Sequence, residues 1–163
     1  DGKGHTIKNI NWTIDASKYA DAGLFGYTKG ASIFGLDVGL TGNKITVKGN
    51  AAGLNAGVIV GNAVGGSLTG CINYTDLVYE GNPSGGAVCL AGLCGRSSAT
   101  LTSCINKGNV LSPVICRAAG FYGKPHRQLG KLLTGISVHN QSHCFLRAYS
   151  PLVAVEELIL TYL

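Results

Sequence analysis

Two short words recur along the chain at a nearly fixed interval, and this recurrence constrains the fold more than any other feature. The first is an apolar pair followed by glycine: Leu24-Phe25-Gly26, Ile59-Val60-Gly61, Leu93-Cys94-Gly95 and Phe121-Tyr122-Gly123. The second follows each time as two apolar ends with two residues between them: Ile33 to Leu36, Leu68 to Cys71, Leu101 to Cys104 and Leu133 to Ile136. A further copy of the second word, Ile7 to Ile10, opens the chain. Copies lie roughly 26 to 35 residues apart, the range in which a fixed period means stacked units that cannot bury their apolar faces alone.

Glycine-rich turns separate the words. In Lys44-Ile45-Thr46-Val47-Lys48 polar and apolar residues alternate, which predicts a half-buried strand. Gly49-Asn50, Gly81-Asn82 and Gly108-Asn109 then read as the turns that close three successive units. Three short extended segments per unit, with no helical periodicity, predict an all-β fold: a right-handed parallel β-helix, or β-solenoid, of about five coils. The repeats cover residues 1–143. Residues 144–163 read as a terminal cap or tail, where Ser150-Pro151 suits a helix start and Leu158-Ile159-Leu160 suits a strand equally well.

Coils stacked in register set equivalent residues over one another about 4.8 Å apart. Two inward columns follow by counting: Phe25, Val60, Cys94 and Tyr122, and Ile10, Leu36, Cys71, Cys104 and Ile136. Two positions further on stand Trp12, Val38, Asn73, Asn106 and Val138, in which Asn73 and Asn106 form a ladder of stacked amides.

Asp1-Gly2-Lys3-Gly4-His5-Thr6-Ile7, Ala22-Gly23-Leu24-Phe25-Gly26, Gly70-Cys71-Ile72-Asn73 and Ser103-Cys104-Ile105-Asn106 with Gly108-Asn109-Val110 carry a family likeness. At these words the chain resembles the GLUG-type repeats of bacterial surface and secreted proteins, including non-catalytic β-helical regions of IgA-protease-like proteins. The likeness covers Asp1 to Val110 well, thins towards Asn140 and stops there. It implies a β-helix at the cell surface or outside the cell.

The 163 residues, 45% of them apolar, suffice for one buried core, and the 25 glycines punctuate the sequence without forming a low-complexity tract. The absence of methionine suggests a processed chain or a piece of a longer one. No charged start precedes an apolar run, so no signal peptide is read. Leu152 to Leu163 is too short to span a bilayer and carries Glu156 and Glu157, so no membrane span is expected. The net charge of +5 is uneven: residues 81–155 hold no Asp or Glu. Arg117, Lys124, Arg127 and Lys131, in that basic half, are the candidate residues for anionic glycans or other surface proteins. The bland alternative is a solvated face. With charges dispersed and no interleaved aromatics, nucleic acid is not expected as a partner.

Six cysteines and four histidines do not fall at metal-site spacings, so neither a metal nor another cofactor is expected. Cys71, Cys94 and Cys104 replace aliphatic residues at equivalent positions and read as small buried hydrophobes, although Cys71 and Cys104 lie close enough for a bond. Asp37 is followed at equivalent positions by Ile72, Ile105 and Ser137, so the column of acids that a β-helix glycosidase or lyase needs is missing. No catalytic residue is expected. Asn11, Asn73 and Asn140 match the N-glycosylation pattern, but a glycan on Asn73 would be incompatible with the ladder, which leaves Asn11 and Asn140. The expected role is a non-enzymatic structural or adhesive segment. Alternatives are a carbohydrate-active β-helix fragment and a self-assembling extracellular filament subunit.

Overall fold

The computed structural model describes residues 1–112 except Pro83, and the backbone of three further strands, Arg117–Ala119, Ile136–Val138 and Arg147–Ala148. Every described element is a strand. In chain order these are β1 (His5–Ile7), β2 (Asn11–Asp15), β3 (Asp21–Ala22), β4 (Phe25–Lys29), β5 (Ser32–Phe34), β6 (Leu36–Val38) and β7 (Lys44–Lys48). They continue as β8 (Leu54–Gly57), β9 (Val60–Val64), β10 (Ser67–Thr69), β11 (Ile72–Asn73), β12 (Asp76–Tyr79), β13 (Val88–Ala91) and β14 (Cys94–Ser97). The last six are β15 (Thr100–Thr102), β16 (Ile105–Asn106), β17 (Val110–Ser112), β18 (Arg117–Ala119), β19 (Ile136–Val138) and β20 (Arg147–Ala148).

They form five sheets, each built from strands one coil apart: β1-β6-β11-β16, β5-β10-β15, β2-β7-β12-β17-β19-β20, β3-β8-β13-β18 and β4-β9-β14. All pairings among β1 to β18 are parallel. The fold is thus an all-β parallel β-solenoid, as expected, but with five strands per coil and about three coils, β3–β7, β8–β12 and β13–β17, rather than five coils of three strands.

The central repeats stack as counted. Leu68 pairs with Ile33 below and Leu101 above, Val60 lies between Phe25 and Cys94, and Ile72 lies between Asp37 and Ile105, which sets Leu36, Cys71 and Cys104 in one column. The two outlying copies of the second word do not belong. His5 stands opposite Leu36 and Ile7 opposite Val38, whereas Ile10 sits at the next corner. There its carbonyl accepts from the Lys44 N–H at 2.9 Å and its own N–H donates to Asn43 Oδ1 at 3.2 Å. Trp12 therefore pairs with Ile45, not with the Val38 column. Ile136 and Val138 lie on β19, which runs antiparallel to β17, so neither extends a predicted column. Gly108-Asn109 also differs from the other two turns: it leads into β17, because Val110 pairs with Leu77. Tyr122, Leu133 and all of the proposed cap except Arg147 and Ala148 lie outside the described residues.

Inside, the columns Ile45, Leu77, Val110 and Val38, Asn73, Asn106 are almost entirely sealed from solvent. β7 is buried on Ile45, Thr46 and Val47, more than strict alternation predicts. The asparagine ladder is present: Asn73 Nδ2 donates to Asn106 Oδ1 at 2.7 Å and to the Thr75 carbonyl at 2.9 Å, while Asn73 Oδ1 accepts from the Thr75 N–H at 2.8 Å. Asn106 Nδ2 donates to the Gly108 carbonyl at 2.9 Å, and Gly92 leaves the room that the Asn106 amide fills. Every buried side-chain polar atom among the described residues has a partner, as the low-dielectric interior demands.

Glycine shapes the stack in two ways. At the corner before the cysteine column the chain turns left-handed at Gly35 (φ 58°), Gly70 (φ 60°) and Ser103 (φ 50°). At Gly61 the backbone of one strand lies against another, so that a Cβ would meet Gly26 O at 2.5 Å and Ala22 N at 2.6 Å.

These differences give two checks by denaturant unfolding. Gly70→Ala meets nothing within 4 Å and should cost roughly 1 kcal/mol, the left-handed penalty alone, whereas Gly61→Ala should cost about 3 kcal/mol through overpacking. Leu68→Asp, which places an unpaired charge in the core, should destabilise by roughly 3 kcal/mol or more.

Candidate functional site

Because strand residues alternate faces, the register that stacks the core also stacks the outer surface into columns. The β5-β10-β15 sheet presents Ser32, Ser67 and Thr100 in one column and Phe34, Thr69 and Thr102 in the other. Ser67 Oγ and Ser32 Oγ lie 3.3 Å apart. One short turn before this sheet, β4-β9-β14 presents Tyr27, Asn62 and Arg96 in a column, with Tyr27 and Arg96 exposed. Together they make a flank of an aromatic ring, an amide, a guanidinium and hydroxyls. An aromatic face stacks on apolar ligand surface, hydroxyls and amides hydrogen-bond polar ligand groups, and a guanidinium pairs with carboxylate or sulfate oxygens. Sequence reading missed this column. It lies two residues beyond Phe25, Val60 and Cys94, which counting set inward; Val60 and Cys94 are buried, but Phe25 is 42% exposed and shares the outer face of Tyr27, while Leu24 packs against the core.

The acids are mostly committed to local contacts. Asp15 accepts from the Ser17 hydroxyl at 2.5 Å and the Ser17 N–H at 3.0 Å, and these bonds, with Lys18 nearby, hold its carboxyl below the usual range. Asp21 Oδ1 accepts from Asn55 Nδ2 at 2.8 Å, and Asp76 Oδ1 accepts from both the backbone N–H and the side-chain amide of Asn109, at 2.7 and 3.0 Å. Glu80 faces Lys48 across the coil step at 3.4 Å. Asp37 has Ile72 and Ile105 above it, as counted. Among the described residues no two acids on adjacent coils share a column, and inverting or retaining glycoside hydrolysis needs such a facing pair.

Of the candidate glycan-binding residues, Arg117 stands on β18 opposite Cys89. Lys124, Arg127 and Lys131 lie outside the described residues. Lys107, another member of the basic half, is held over the Tyr74 ring, 4.7 Å from its centroid and 3.3 Å from its hydroxyl. Asn11 is exposed on β2, Asn73 is fully buried, and Asn140 lies outside the described residues.

Cys71, Cys89, Cys94 and Cys104 are free thiols. Cys71 and Cys94 are fully buried in the core and Cys104 packs partly against it, as small hydrophobes do. Burial, with Cys104 near it, pushes the Cys94 thiol up to about 12. Cys116 and Cys144 lie outside the described residues. Among the described residues no three His, Cys, Asp or Glu side chains gather where they could hold a metal ion, and no helix is long and apolar enough to cross a membrane.

Expression in a host that attaches N-glycans should place a glycan on Asn11 and none on Asn73, as read by peptide mass spectrometry. Glu80→Gln, which breaks an exposed ion pair, should change stability by less than about 1 kcal/mol. Comparison of the chain with protein families, with curated proteins and with solved structures gave no match.

Proposed function

We propose that the chain is a non-enzymatic structural or adhesive segment of a secreted or cell-surface protein: a rigid β-solenoid spacer of GLUG-type repeats whose flank meets glycans or other surface proteins. The observation that carries this reading is the contrast between the two faces of the same strands. Inside, equivalent positions keep their apolar or amide character from coil to coil, as in Ile45, Leu77 and Val110. Outside, the column of Tyr27, Asn62 and Arg96 changes residue type at every coil, while Ser32, Ser67 and Thr100 on the next sheet keep a hydroxyl. Such a surface presents groups for contact.

Acidic glycans are the ligand class that the Tyr27, Asn62 and Arg96 column and the basic half fit best, through ring stacking and charge-assisted hydrogen bonds. A glycan array should show binding to carboxylated or sulfated chains that weakens with added salt. Arg96→Ala should reduce that binding about tenfold, corresponding to about 1.4 kcal/mol. Turnover of an acidic polysaccharide in a hydrolase or lyase assay would overturn the reading in favour of a carbohydrate-active fragment.

A specific observation also favours end-to-end self-association. β1, β2, β3, β4 and β5 are all outermost strands of their sheets. Ile7, Trp12 and Phe25 are 37%, 38% and 42% exposed, although Val38, Ile45 and Val60 directly above them are at 0%. Among the described residues these strands have no partner on their lower side, and their backbone edges and apolar side chains suit another strand-forming segment. Concentration-dependent filaments or dimers, abolished by Trp12→Glu, are the expected result; a strict monomer at high concentration would count against it.

A further inference from the structure

The cysteine column carries chemistry that packing does not use. Cys71 and Cys104 hold the same place on successive coils: the residues after them are paired, Ile72 with Ile105 and Asn73 with Asn106, and the Ile105 N–H donates to the Cys71 carbonyl at 2.9 Å. Each follows a left-handed corner residue, Gly70 or Ser103. Their thiols take the same course, Cys71 Sγ lying 3.6 Å from the Thr69 carbonyl oxygen and Cys104 Sγ 3.4 Å from that of Thr102. Parallel neighbours in register stand about 4.8 Å apart, inside the roughly 4.4 to 6.8 Å over which a disulfide joins two Cα atoms.

Access to the two sulfurs is unequal. Cys71 is fully buried, while Cys104 is partly exposed. The neighbouring Cys71 thiol holds Cys104 below the usual thiol range. The same contact, with burial, raises Cys71. An accessible sulfur that ionises readily, backed by a buried partner thiol, is the arrangement of an attacking and a resolving cysteine.

We propose that Cys71 and Cys104 are a thiol–disulfide exchange site that takes small-molecule disulfides of the glutathione type and closes into an inter-coil disulfide. The Cys104 thiolate attacks one sulfur of the small disulfide, whose S–S bond breaks and releases one small thiolate. Cys71 then loses its proton to solvent and attacks Cys104 Sγ, displacing the second small thiolate. Two protein thiols are oxidised to one S–S bond, and the small disulfide is reduced to two thiols. Cys94 is the competing partner, but it stands on β14 in the column of Phe25 and Val60, whereas Cys71 holds the position of Cys104 itself one coil below. Cys89 stands outside the apolar core cluster, in the column of Asp21, Asn55 and Arg117.

The test is to incubate the folded full chain with oxidised glutathione, block remaining thiols and map tryptic peptides by fragmentation mass spectrometry. The tryptic peptides ending at Arg96 and at Lys107 should be joined with loss of two hydrogens, and fragments should place the bond at Cys71. Dithiothreitol should reverse it and lower the melting temperature by several degrees, because the bond closes a full coil. The rate at which the Cys104 thiol is consumed should rise with pH as it ionises and level off below the ordinary thiol pKa of about 8.5, while closure, which waits on the raised Cys71 thiol, should keep rising above it. Cys71→Ser should trap the glutathione adduct on Cys104, and Cys94→Ala should close as the parent does, with circular dichroism reporting the fold of both. A bond to Cys89 or Cys94, a stable adduct in the parent chain, or no oxidation at all would overturn the proposal. The mapping in the parent chain decides even if a variant fails to fold.

Discussion

The structure depends on one condition: a strand must find its hydrogen-bonding partner one full coil away. Two-residue strands such as β11 and β16 have no local stability, and isolated pairs of such length do not persist in water. Parallel pairing leaves the backbone no shorter route, since a parallel neighbour is reached only by a crossover. The coil is that crossover, and its corners are set where glycine, or in three places Lys3, Asn9 and Ser103, adopts a left-handed backbone. Inward and outward columns then follow from the ladder without separate specification.

The buried amides add selectivity to the ladder. Sliding one coil past the other by one residue would part Asn73 from Asn106 and leave the Asn106 Oδ1 in the interior without the Asn73 amide that donates to it. Apolar columns alone would tolerate such a slip more easily. The amide pair therefore fixes register, a use of buried polar groups better attested than any gain in stability.

The legibility of the sequence tracked how many physical signals agreed at each position. Leu68 and Leu101 were matched because both carry an apolar word, a preceding turn and a following Ile-Asn dipeptide, and all three stack in the fold. The copies at Ile7 and Ile136 rested on an apolar pair three residues apart, a pattern that a corner such as the one at Ile10 also produces. The number of strands per coil was hidden because strands of two or three residues are too short to display a period of two. The column of Tyr27, Asn62 and Arg96 was hidden for the opposite reason: its three positions share no residue type, so their equivalence is visible only once register is known.

The place of the middle coil between two others has a thermodynamic consequence. A solenoid behaves as a row of coupled units, each held by its own stability and by its contacts with the neighbours on either side. The coil from Leu54 to Tyr79 has a described neighbour on both sides, whereas the strands from β1 to β5 have one on the upper side alone. Among the described residues the middle coil is therefore the one whose loss would cost both of its neighbours a partner, so a change made there reaches furthest through the stack.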